Sequence, residues 1–242
     1  MRKIIHQEIE SVSIPDELLP AIKRVNGLIL ESIERDGVPI DSGLFDIDST
    51  KIDGDISFAL FIVRWVSKVE EVIKNLNIIL SDLKLLPNNH HLLAGTPSDR
   101  YYLLLRTCFY EFYRFREIHN QIFKESANRG FIAGDQVAIH RKIFHDAFKE
   151  VIDLRNMLVH GSPVWKGESH IKLLMHGVAT EMGFGLKNIE SGKIIDVSED
   201  LEDSCTLVYK TFSAEGNRMS KLISQLIQWH IHAAPITHNS NQ

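Results

Sequence analysis

The stretch from 56 to 85 constrains the fold more than any other. Phe61, Trp65, Val69, Val72, Leu76, Ile79 and Leu83 recur there at intervals of three or four residues, the period that lines side chains along one face of an α-helix. So long an apolar stripe cannot stay in water and needs other helices to cover it. The same period runs through Leu18, Ile22, Val25, Ile29 and Ile33, then through Tyr101, Leu104, Leu105, Cys108, Phe112, Phe115 and Ile122. It returns in Phe144, Ala147, Phe148, Val151, Leu154 and Leu158, and again in Val208, Phe212, Met219, Leu222, Leu226 and Trp229.

Start and stop signals bracket these segments. Ser13-Ile14-Pro15-Asp16 reads as a helix start capped by Ser13, and Gly37 and Pro39 close that helix. Thr96-Pro97-Ser98-Asp99 combines a capping Thr, a Pro at the first helical position and an acid at the third. Asp135 caps a fourth helix that runs to His160, and Ser198-Glu199-Asp200 opens the last with acids at the positive end of its dipole. Between them, 171–178, 184–189 and 193–197 are short segments read at period two, with a turn at Glu190-Ser191-Gly192. The expected fold is therefore mainly α: a bundle of about five helices with a small antiparallel β-meander before the last. It is read as one domain over 1–242. Within it, 1–52 is an acidic helix and loop, 97–163 a helical pair, 164–198 the meander and 199–234 the final helix.

Composition removes several classes of function. The net charge of −5 argues against a protein that coats nucleic acid by bulk positive charge, but basic residues outnumber acids by three between 100 and 155. Cys108 and Cys205 fall on apolar helix positions and read as core thiols of a reducing compartment. The first residues turn acidic too soon for a secretory signal, and the apolar run 58–63 is too short to span a bilayer. A cytoplasmic protein without membrane contact is expected. No two of the twelve histidines stand in a His-x-x-x-His or His-Glu-x-x-His arrangement, and His90-His91 reads as loop, so no metal or other cofactor is assigned.

Chemistry-bearing side chains concentrate at 153–163. Asp153, Asn156 and His160 share the outward side of their helix, and Gly161 and Pro163 then stop it. Arg155 lies beside the apolar stripe, where it must reach a partner, snorkel out or line a cleft. On the helix before, Arg106, Tyr110, Tyr113, Arg114, Glu117 and Gln121 lie within reach of one another by three- and four-residue steps on a polar face. Interleaved Arg and Tyr can hold phosphates and stack bases. The plain alternatives are a well-capped helix end and a solvated face with a Glu117–Arg114 pair.

The run Arg155-Asn156-Met157-Leu158-Val159-His160 resembles the Arg-x(4–6)-His motif of the HEPN superfamily (higher eukaryotes and prokaryotes nucleotide-binding), in which a polar residue often follows the Arg. The resemblance covers 97–163 and extends in part to the last helix. It implies a helical bundle that cuts RNA without metal, works as a homodimer and belongs to toxin or defence systems with a regulatory protein partner. Arg155, His160 and Asn156 would then be catalytic, and Arg106, Tyr110, Tyr113, Arg114 and Asp153 would bind substrate. The residue types suit attack of a 2′-hydroxyl on the adjacent phosphate. His160 would move protons near neutral pH, and Arg155 would fork onto phosphate oxygens. Attacking and leaving oxygens lie on opposite sides of phosphorus, so two copies of His160 across a two-fold axis serve better than one. The other class that fits is a non-catalytic module binding a nucleotide, RNA or a protein.

Overall fold

The computed structural model describes residues 7–37, 49–159, 168–182, 187, 190, 192 and 198–233. Seven α-helices occur among them: α1 (Leu19–Asp36), α2 (Gly54–Asn89), α3 (Pro97–Asn128), α4 (Gln136–Ala147), α5 (Lys149–Val159), α6 (Glu168–Glu181) and α7 (Ser198–Ala233). All seven apolar residues of the stripe that predicts α2 are buried. Thr96 and Asp99 open α3 as a reciprocal cap: the Asp99 N–H donates to Thr96 Oγ1 (3.1 Å), and the Thr96 N–H donates to Asp99 Oδ2 (2.8 Å).

The chain divides into two compact units, Met1–Glu10 with Val72–Glu117 and Lys142–Met219, and Ser11–Glu71 with Ile118–Arg141 and Ser220–Gln242. Helices α2, α3, α4 and α7 each supply residues to both. The core of the first unit is aromatic. Phe109 and Phe112 of α3 meet Phe212 of α7 at 5.0 and 5.3 Å between ring centres, and Phe115 meets Phe144 and Phe148 at 5.0 and 5.8 Å. Edge and tilted contacts of this kind add to the burial of each ring.

The N-terminal segment is built into the first unit by polar side chains. Asn77 Oδ1 accepts the backbone N–H of both Glu8 and Ile9 at 2.9 Å, and Asn77 Nδ2 donates to Ile9 O. Asn217 Oδ1 accepts from Glu10 N and Asn217 Nδ2 donates to Glu8 O, while the Glu8 carboxylate takes Tyr209 Oη and Lys84 Nζ. Ile9 itself is fully buried, seated on Gly216 of α7. A Cβ at 216 would lie 2.3 Å from Ile9 Cδ1, so only glycine lets the segment come this close.

In the second unit Val25, Ile56 and Ala59 pack α1 on the first turns of α2. Deeper in it, Trp65 of α2 stands edge-on to Phe123 of α3 at 5.8 Å. Three histidines share this interior. His119 (α3), His140 (α4) and His230 (α7) are all buried, and the Phe123 ring lies against two of them, 4.5 Å from His119 and 4.4 Å from His140.

Several sequence expectations are corrected. No strand or sheet occurs among the described residues, and the first segment of the expected meander, 171–178, is helical within α6. A short apolar run cannot by itself distinguish a strand from a helix. Here Leu173 and Gly177, four residues apart, are the buried pair, against Ser98, whose hydroxyl donates to Leu173 O (2.8 Å). The other two segments lie outside the described residues but for Lys187. The fourth helix is not continuous: α4 and α5 separate at Phe148, where neither Pro nor Gly stands, and nothing in the sequence marks the break. Ser13 does not cap α1. Its N–H donates to Ser224 Oγ (2.9 Å), and the chain enters α1 through a 3₁₀ turn at Asp16–Leu18. Seven helices among the described residues thus replace about five.

Candidate functional site

Of the expected site residues, Arg106, Tyr110, Tyr113, Arg114, Asp153, Arg155 and Asn156 lie in the first unit, on α3 and α5. Arg155 is half-buried, and its guanidinium carbon sits 4.3 Å over the centre of the Tyr113 ring. Its Nη1 donates to Asn156 Oδ1 at 3.2 Å. The partner that a half-buried Arg requires is thus an aromatic face and an amide, and no carboxylate pairs with it among the described residues. Asn156 positions Arg155.

A second cation joins the same ring. The Arg116 guanidinium carbon lies 5.8 Å from the Tyr113 centre, also without a carboxylate among the described residues. Sequence inspection passes over Arg116, though it stands one helical turn after Tyr113 and the spacing alone could have found it. Beneath these groups Phe109, Phe112, Phe148 and Val151 form an apolar floor.

The other expected binding residues are not all brought to this point. Arg114 pairs with the buried Glu111 at 3.6 Å, so the Glu117–Arg114 pair is not the one formed, and Glu111 also accepts from Asn75 Nδ2 (3.0 Å). Arg114 is therefore tied to a core acid. Tyr110 is 63% exposed, and Arg106 and Asp153 are exposed as well. His160, Gly161 and Pro163 lie outside the described residues.

No family model matches the chain, and no curated protein or solved structure matches it either. No group of three or more His, Cys, Asp or Glu able to hold a metal occurs among the described residues, and none of their helices is long and apolar enough to cross a membrane. Burial pushes the Cys108 and Cys205 thiols up, the latter to about 12, which makes both poor nucleophiles at neutral pH.

The histidines of the second unit are the other titratable cluster. His230 Nε2 lies 3.1 Å from Ser126 Oγ and Nδ1 lies 2.9 Å from Leu226 O, while His119 Nε2 lies 3.4 Å from His140 O. Burial lowers all three, His119 to about 3 and His230 to about 4, so each is neutral at pH 7. Each falls on the apolar stripe of its own helix, and sequence analysis does not single them out.

Proposed function

We propose that this protein is a HEPN-like, metal-independent endoribonuclease in which Arg155 and Arg116 hold the RNA phosphate and His160 moves protons. The observation that carries the reading is the Arg155 guanidinium, stacked on Tyr113 and bonded to Asn156, with no acid to neutralise it among the described residues. An Arg fixed in this way keeps most of its five donors for an incoming phosphate. Arg116 doubles the charge at the same ring. His160 follows Arg155 by five residues, and a homodimer would supply one His160 to each side of the phosphorus.

A non-catalytic RNA- or nucleotide-binding module is the second reading. It is favoured by the same stack, because two guanidiniums flanking a tyrosine bind phosphate without any proton transfer.

A single-turnover RNA assay in EDTA, run beside RNA-binding measurements, separates the two. His160→Ala should slow cleavage by roughly 10²–10⁴ and leave RNA affinity unchanged. Arg155→Lys, which keeps the charge and loses the fork, should lower both. Binding that depends on Arg155 and Arg116 with no cleavage in the wild type would establish the module. If wild type neither cuts nor binds RNA, both readings fail.

A further inference from the structure

The second unit holds an open cleft of about 620 Å³ that the RNA reading does not use, well within the size range of small-molecule sites. Its floor is apolar: Leu18 and Ala21 before and within α1, Phe58 of α2, Phe131 after α3 and Ile231 of α7. Phe131 is fixed by the way α3 ends. Gly130 takes the left-handed conformation (φ 75°), its N–H donates to Ala127 O, and the Phe131 N–H donates to Ser126 O (2.9 Å). This helix-closing motif turns the chain back and sets Phe131 edge-on to Phe58 at 5.1 Å.

The rim carries two cations and two acids, but their charges are not equivalent. Arg24 is paired with Asp53 at 2.5 Å, and Arg129 with Glu125 at 2.8 Å. Glu17 and Asp55, which also line the rim, have no partner among the described residues. Glu125 also pairs with Arg64 at 3.4 Å, which leaves one cation against the two unpaired acids, so the balance at the mouth is negative, above a floor of two phenyl rings and aliphatic groups.

From this arrangement we infer that the cleft binds a small organic cation, a protonated amine carrying an aromatic or branched aliphatic body. The body lies against Phe58 and Phe131, and the ammonium meets the Glu17 and Asp55 carboxylates. An anion of the same shape is disfavoured because both guanidiniums already hold acids. A neutral molecule of the same shape fills the floor and gains nothing at the rim.

Isothermal titration of the whole protein with 2-phenylethylamine, 2-phenylethanol and 3-phenylpropionate tests each part. The amine should bind about tenfold more tightly than the alcohol, the carboxylate should bind least, and salt should weaken the amine alone. Glu17→Gln with Asp55→Asn should bring the amine down to the affinity of the alcohol, and Phe131→Ala should weaken both. Both acids are exposed, so the double variant should fold. RNA cleavage should be unchanged in these variants. The inference is overturned if the alcohol or the carboxylate binds as well as the amine, or if no probe saturates the protein. It is also overturned if the double variant alters stability but keeps the amine preference, since the two acids would then serve only the dipoles of their helices.

Discussion

Taken from pH 7 to pH 5, the protein should lose about 4 kcal/mol of stability through His119 and His230 together. Both imidazoles are held neutral in the fold, at about 3 and about 4, whereas an unfolded histidine takes its proton near 6.5. A base lowered by folding binds fewer protons in the native state, so stability is complete above about pH 6.5 and falls as the pH drops toward the folded values. His140, lowered by burial, adds to the loss. Repulsion among the three, and from Arg141 toward His119, makes each further proton harder to place. The carboxylates work elsewhere or in the opposite sense. Asp53 and Asp99 are held down by backbone amides of Ile56 and Thr96 first, so their contributions vanish only below the ordinary carboxylate range. Burial raises Glu215, which favours the fold slightly as the pH falls. Urea midpoints at pH 7 and 5 read the effect, and His119→Leu with His230→Leu should flatten the slope whatever they do at pH 7. Equal midpoints at the two pH values would show that the cluster admits protons without opening.

Asn77→Leu should cost on the order of 3 kcal/mol, more than any other single polar change in the first unit. The side chain keeps its size, but the Glu8 and Ile9 amides lose their acceptor and Ile9 O loses a donor. Asn77 is only 4% exposed, so water cannot replace it. Asn217→Ala removes a similar number of bonds at a wetter place, where the Glu10 amide is exposed, and should cost about 1 kcal/mol. Chemical denaturation of both variants gives the comparison. If Asn217→Ala proves the more damaging, Asn77 is not the anchor of the segment.

Where an element repeats one period over many turns, as α2 does, the sequence is enough, because only a helix buries residues spaced as Phe61 to Leu83 are. Caps are legible when both partners are local: Thr96 and Asp99 are three residues apart, while Ser13 finds Ser224 and no local pattern betrays it. For α6 the stripe is short and its Ile171, Met175 and Val178 stay exposed, so the apolar residues that suggest a strand are not those that pack. At the site, sequence analysis identifies Arg155, Asn156 and Tyr113 but cannot join them, since the joining contact crosses from α3 to α5. Arg116 is lost among ordinary surface cations, and the buried histidines among ordinary core positions. In both cases the deciding fact is which ring lies beside the group.

The attachment of residues 8–10 to α7 also sets an order of events during synthesis. Glu10 and Asn217 are 207 residues apart, and Glu8 and Tyr209 are 201 apart. At roughly 5–20 residues per second, the ribosome delivers the receiving helix about 10–40 s after the segment itself. Through that interval Ile9 belongs to a nascent chain that has no Gly216 for it to sit on. Chains stalled before residue 209 should leave this segment open to protease and to chaperones that grip apolar peptides, and chains stalled well after 219 should not.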